Sequence, residues 1–190
     1  ALRVGYTSLM IDGSHLDFEG NIELTKRVVD AAKPSNIPVE AELGKVGGKE
    51  DDLDVKDAAY TDPAQAKEFV ERTGITSFAV AIGTAHGFYK GIPKLDIDRL
   101  IEIRKVVDIP LVLHGASGLL DRDLERCIEE GICKINFATE LRVAFSNGVK
   151  SVLRSEPEVH DPKVYLKAAK ENVKQLVKNR ITVCGCQRKY

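Results

Sequence analysis

Two histidines stand where apolar runs end: His86 closes "AVAIGTAH" and His114 closes "PLVLH", and each is followed by a glycine. Neutral imidazole suits a borderline ion such as zinc, and a catalytic zinc takes three protein ligands and leaves one position open. A single histidine of this kind reads as a hydrogen-bonded loop start. Two in neighbouring units, each before a flexible glycine, favour a shared metal. Beyond His114 comes Gly115-Ala116-Ser117-Gly118, whose backbone N–H groups can wrap an anion just ahead of a helix. Asn136-Phe137-Ala138-Thr139 repeats that logic one strand later, with an amide, a hydroxyl and the N–H groups of a helix start. Either loop alone could be a turn with a cap. Together, on adjacent units, they read as one phosphate cradle. His15 and His160 are lone histidines and read as structural or exposed.

The segment "VEAELGKVGGKEDD" is denser still. Glu40 and Glu42 lie two apart and so share one face of a strand. Two carboxylates on one buried face need cations or hydrogen bonds to answer them. A glycine-rich, acidic loop of roughly twenty residues follows, long enough for a functional lid. Glu50, behind Gly47 and Gly48, could swing over the site as acid or base, whereas Asp51, Asp52 and Asp54 read as solvated. The four cysteines, Cys127, Cys133, Cys184 and Cys186, show no paired zinc spacing and read as reduced thiols. The "CGC" at 184–186 could bind metal or be redox-active, but a fraying tail is a poor scaffold.

These residues need elements to hold them. Strands are expected at Ser8–Asp12, Ile37–Leu43, Ser77–Gly83, Ile109–His114 and Ile132–Phe137. Helices are expected over Phe18–Lys33, Pro63–Arg72, Ile97–Val107, Arg122–Glu130, about Glu140–Leu153, and about Pro162–Lys178 behind Asp161. Five strand–helix units in strict order imply a parallel sheet of the α/β class. Asp12, Glu42, Gly83–Gly87, His114–Ser117 and Asn136–Thr139 all fall at or just past strand carboxyl ends. That rim is where a TIM (β/α)8 barrel builds its site, whereas a doubly wound sheet gathers its chemistry in one crevice. A barrel needs eight units. The chain therefore reads as a single domain, residues 1–190, carrying the C-terminal five βα units of a barrel plus a C-terminal helix. The N-terminal ~90 residues, at ~30 per βα unit, are expected upstream.

Composition narrows the partners. The 190 residues carry a formal net charge of -1 and are 43% hydrophobic. That gives no electrostatic case for nucleic acid or a membrane surface. No apolar run approaches the ~20 residues of a spanning helix, and the first residues do not read as a secretory signal. A cytoplasmic protein is expected.

The motifs "MIDGSH", "VEAELGKVGGKEDD", "AVAIGTAHGFYKG", "PLVLHGASG" and "GICKINFATEL" resemble, in order and interval, the class II, zinc-dependent ketose-bisphosphate aldolases. The likeness runs from Ser8 to the C-terminus. It implies a lyase that reversibly cleaves a ketose 1,6-bisphosphate to dihydroxyacetone phosphate and glyceraldehyde 3-phosphate. Ala138 and the final CGC point to the tagatose-1,6-bisphosphate type, with fructose 1,6-bisphosphate as the alternative sugar. The resemblance makes His86 and His114 two of three zinc ligands. It assigns the dihydroxyacetone phosphate contacts to Gly87, Gly115, Ala116, Ser117, Asn136, Phe137, Ala138 and Thr139. Gly87, Gly115 and Ser117 also match a site for a monovalent cation, Na+ or K+. Glu50 matches a mobile-loop glutamate that moves a proton, and Asp12 and Glu42 match carboxylates around an alternative metal position. The third zinc histidine, and the Asp before it, match a strand upstream of Ala1, so the 190 residues taken alone are expected to be inactive. A homodimer or homotetramer is implied. The rival readings are a Schiff-base aldolase using Lys134 and a non-catalytic companion subunit of an aldolase complex.

Overall fold

A computed structural model of the chain describes residues 1–50, 53–55, 59–89, 91 and 93–189, with 49, 50 and 53–55 described by their backbone alone. In order, the elements are β1 (Leu9–Ile11), α1 (Phe18–Ala32), β2 (Val39–Leu43), β3 (Gly47–Glu50), β4 (Leu53–Val55), α2 (Pro63–Thr73), β5 (Ser77–Val80), β6 (Ala85–His86), α3 (Ile97–Val106), β7 (Leu111–Leu113), α4 (Asp121–Glu129), β8 (Ile132–Ile135), α5 (Thr139–Ser155) and α6 (Pro162–Val183).

β1, β2, β5, β7 and β8 form one sheet in chain order, and every neighbouring pair is parallel. Each consecutive pair is linked through a helix, so all five carboxyl ends point the same way. The strands end sooner than their apolar runs. β7 stops at Leu113, one residue short of His114, and β8 stops at Ile135, one short of Asn136. Pairing ends just before His114 and Asn136, so the candidate site residues begin where the ladder stops.

Helix starts follow the capping chemistry of the sequence. Asp62 accepts the Ala64 and Gln65 N–H groups ahead of Pro63, and Asp161 accepts the Lys163 N–H ahead of Pro162. Each such cap is worth about 1 kcal/mol. The helices cover the sheet with Phe69, Leu100, Ile103 and Leu124, which meet Phe78, Leu111 and Leu113 from the strands, all fully buried. Phe69 and Phe78 put their ring centroids 5.9 Å apart. Burial of each such side chain contributes roughly 1.5–3 kcal/mol.

Two features depart from the sequence expectation. The acidic segment after Glu42 carries strands: β3 pairs antiparallel with β4 and parallel with β6, a small second sheet. Two glycines in β3 and a two-residue β6 leave no periodicity to read. α6 also runs past Lys178 to Val183, because Arg180 pins its last turn. Its Nε and Nη2 bind Glu140 at 2.7 and 2.9 Å, and its Nη1 binds Asp121 at 2.7 Å. Among the described residues, no helix is long and apolar enough to cross a membrane.

Candidate functional site

The parallel sheet brings Glu40 and Glu42 of β2 to His114 at the end of β7. His114 Nδ1 lies 2.8 Å from Glu42 Oε2, and Nε2 lies 2.9 Å from Glu40 Oε1. The shared strand face read from the sequence is what lets both carboxylates reach one ring. Lys134 of β8 adds an ammonium, with Nζ at 2.9 and 3.2 Å from the Glu40 oxygens. Two carboxylates thus meet two cations, so the cluster closes near neutrality when His114 is protonated. His114, Glu40 and Glu42 are all buried. Burial pulls the His114 pKa down, but the Glu40 and Glu42 hydrogen bonds outweigh it and push the imidazole up to about 9 from an ordinary 6.5. Burial pushes the Glu40 carboxyl up, and the His114 and Lys134 hydrogen bonds override it and hold the group below the usual carboxylate range.

His86 comes from β6, whose pairing with Gly47 and Gly48 of β3 fixes its backbone. Its ring centroid lies 6.2 Å from that of His114, with planes tilted by 35°. Two imidazoles tetrahedrally bound to one zinc place their centroids about 5 Å apart. The pair is therefore about one ångström wider than a shared ion requires, and one His114 nitrogen must release its carboxylate. Among the described residues, no three His, Cys, Asp or Glu side chains are arranged to hold a metal unaided. The donor chemistry, two imidazoles with carboxylates beside them in one cleft, suits a borderline divalent ion.

The anion loops adjoin this pair. Ser117 Oγ accepts the Ala138 N–H at 3.1 Å, tying the turn after β7 to the start of α5. α5 has no side-chain cap at Ala138, so its first N–H groups are available to a ligand. A cleft of about 260 Å³ is lined by Asp12, Glu42, His86, Gly87, His114, Gly115, Ser117, Asn136, Ala138 and Thr139 from the sequence-derived set. Glu40, Lys134, Met10, Ala85 and Arg142 line it too.

Two members of the set turn away. Ala116 is buried in the core, and Phe137 packs on the core side with the Arg180 guanidinium 5.4 Å from its ring centroid. Neither lines the cleft. The Glu50 side chain, the Asp54 side chain, and Asp51 and Asp52 lie outside the described residues.

Of the residues the sequence left unassigned, Arg142 is the one with a usable signal. It sits one turn into α5 from Thr139, a guanidinium carried toward an anion loop. Tyr89 gave no signal, although its hydroxyl meets the turns of both histidines. Burial raises its pKa, against the Ala85 N–H it accepts, which lowers it. The four cysteines are free. Cys127 is buried, which drives its thiol up to about 12, with Asp123 adding to the rise.

Residues 1–189 match the family described as fructose-bisphosphate aldolase class-II. The chain belongs to the class II fructose-bisphosphate aldolase family. Among solved structures, the YdjI aldolase from Escherichia coli K12 is 43% identical with a TM-score of 0.83, over 99% of this chain and 64% of that one. A protein from Coccidioides immitis, provisionally assigned as a fructose-1,6-bisphosphate aldolase, is 31% identical with a TM-score of 0.86, over 99% of this chain and 66% of that one. The fructose-bisphosphate aldolase Fba from Campylobacter jejuni shares the fold at a TM-score of 0.79 and 24% identity, over 97% of this chain and 62% of that one. The chain thus spans somewhat less than two thirds of each of these aldolases. Membership accords with the α/β fold and its parallel sheet.

Proposed function

We propose that this chain carries the C-terminal five βα units and last helix of a (β/α)8 barrel aldolase. That aldolase reversibly cleaves a ketose 1,6-bisphosphate, tagatose 1,6-bisphosphate first and fructose 1,6-bisphosphate second, to dihydroxyacetone phosphate and glyceraldehyde 3-phosphate. The observation that carries this reading is one cleft in which two neighbouring imidazoles adjoin two anion loops joined through Ser117.

In this reading His86 and His114 hold a zinc ion, with Asp12 and Glu42 beside an alternative position for it. The bound ion supplies Lewis-acid polarisation of the substrate carbonyl. The protein does the rest. N–H groups of Gly87, Gly115 and Ser117 and of the α5 start, with the Asn136 amide and Thr139 hydroxyl, seat the phosphate of dihydroxyacetone phosphate. Arg142 at the cleft wall adds positive charge. A seated phosphate holds the reacting carbons against the imidazole pair, which converts binding into orientation. Gly87, Gly115 and Ser117 carry a monovalent cation, Na+ or K+. Glu50 moves the proton at C3 of dihydroxyacetone phosphate. The third histidine and the carboxylate that takes the C4 hydroxyl proton come from a strand ahead of Ala1. Three further βα units close the barrel, the assembly is a cytoplasmic homodimer or homotetramer, and the 190 residues alone turn over no substrate.

Lys134 speaks against the Schiff-base alternative. Its Nζ is hydrogen-bonded to both Glu40 oxygens, which occupies the amine a Schiff base would need. The test uses the full-length enzyme with tagatose and fructose bisphosphates. Release of dihydroxyacetone phosphate is expected to stop on chelation and to return with zinc. Borohydride is expected to trap nothing on Lys134. Cleavage that persists in chelator, with a reduced substrate adduct on Lys134, would overturn the proposal.

A further inference from the structure

Tyr89 has no part in the metal and phosphate roles assigned above, yet it lies between the two histidine-bearing turns. Its hydroxyl accepts the Ala85 N–H at 2.8 Å and donates to the Gly115 carbonyl at 2.7 Å. Ala85 immediately precedes His86, and Gly115 immediately follows His114. One phenolic oxygen therefore ties together two backbone segments, each adjacent to an imidazole-bearing residue.

The segments are in contact as well as bridged. A Cβ at Gly115, where φ is 66°, would lie 2.7 Å from the Ala85 carbonyl oxygen. The Tyr89 ring packs on the hydrophobic core and also runs beside Gly118. A phenylalanine would fill that space equally well. Only the hydroxyl can satisfy a donor on one turn and an acceptor on the other at once.

We propose that Tyr89 is a positioning residue: its hydroxyl sets the separation of the His86 and His114 rings, and through it their capacity to hold one divalent ion. The consequence for metal binding rests on the zinc reading above, whereas the setting of the two rings does not.

The test compares Tyr89→Phe with the wild type and with Tyr6→Phe, a control at an exposed tyrosine. Three quantities are read: the His86 and His114 ring resonances by NMR, the exchange rate of the Ala85 amide, and zinc affinity by competition with a chelating dye. In Y89F both ring resonances move and Ala85 exchanges about tenfold faster or more. Zinc affinity falls by about tenfold or more, as for other residues that orient a ligating histidine. Y6F changes none of these. Ring resonances that stay in place in folded Y89F overturn the proposal, and so does unchanged zinc affinity against a zinc-binding wild type. If the wild type binds no zinc, the metal reading fails, and the ring resonances and Ala85 exchange alone decide for or against Tyr89. If Y89F does not fold, the wild-type Ala85 amide decides: slow exchange supports the bridge, and exchange at the rate of an open loop overturns it.

Discussion

Replacing His114 with leucine is expected to destabilise the chain by about 3–5 kcal/mol at pH 7, the usual cost of removing one partner from a buried charge pair. The substitution leaves Glu42 without its imidazole and Glu40 with Lys134 as its remaining cation. Urea unfolding reads the loss directly. The wild type should lose stability on the alkaline side. Its imidazole titrates near 9 in the folded chain against an ordinary 6.5. The stabilisation is therefore fully present below about pH 6.5 and lost as the pH rises through 9, a decline on the order of 3 kcal/mol. H114L should lack that alkaline decline, so the gap between the two stability curves narrows by about 2–3 kcal/mol between pH 7 and 10. A wild-type stability that is flat between pH 6.5 and 9 would show that the imidazole is not held as a cation between its two carboxylates.

The second large effect is expected from Gly48→Ala. Gly48 sits at φ 93°, in register with His86 across the β3–β6 pairing. An added Cβ would overlap the His86 carbonyl oxygen and crowd its nitrogen. Every obstructing atom is backbone, so no side-chain rotation relieves the clash. A non-glycine residue in this region also carries about 1–2 kcal/mol of conformational strain. The small sheet should part, and His86 should leave its place beside His114. Because β3, β4 and β6 form a sheet apart from the five-stranded core, the global melting temperature should fall by only a few degrees, about 2–4 °C per kcal/mol. Zinc affinity should drop by about tenfold or more. A variant that melts like the wild type and binds zinc equally well would show that β3 does not position His86.

The contrast between Gly48 and His114 shows where the sequence is legible. The five parallel strands could be read because their buried faces are near-continuous apolar runs, each followed by an amphipathic helix, as where the Asp62-Pro63 cap opens α2. The cleft was expected where polar residues stand at or just past strand carboxyl ends, and Asp12, Glu42, His114 and Asn136 do line one. The β3–β4–β6 sheet could not be read. Its contacts join glycines to a two-residue strand, and neither leaves a hydrophobic period. The side-chain directions of Ala116 and Phe137 were equally hidden, since an anion loop quoted as a motif does not show which of its members face the core. Tyr89 was hidden for a related reason: its hydrogen bonds run to backbone atoms, which look alike at every position of a sequence. The clustering of Glu40 and Glu42 on His114, with Lys134 on Glu40, was half visible, as two acids on one face demanding cations, but the identity of those cations required the sheet order.

The most direct test of the proposed shared-metal site is anomalous scattering at the zinc edge from crystals of the protein soaked with zinc. The expected result is one zinc peak in contact with both the His86 and His114 rings, with Glu40 or Glu42 withdrawn from His114. Zinc bound at one ring alone, or elsewhere while His114 keeps both carboxylates, would contradict it.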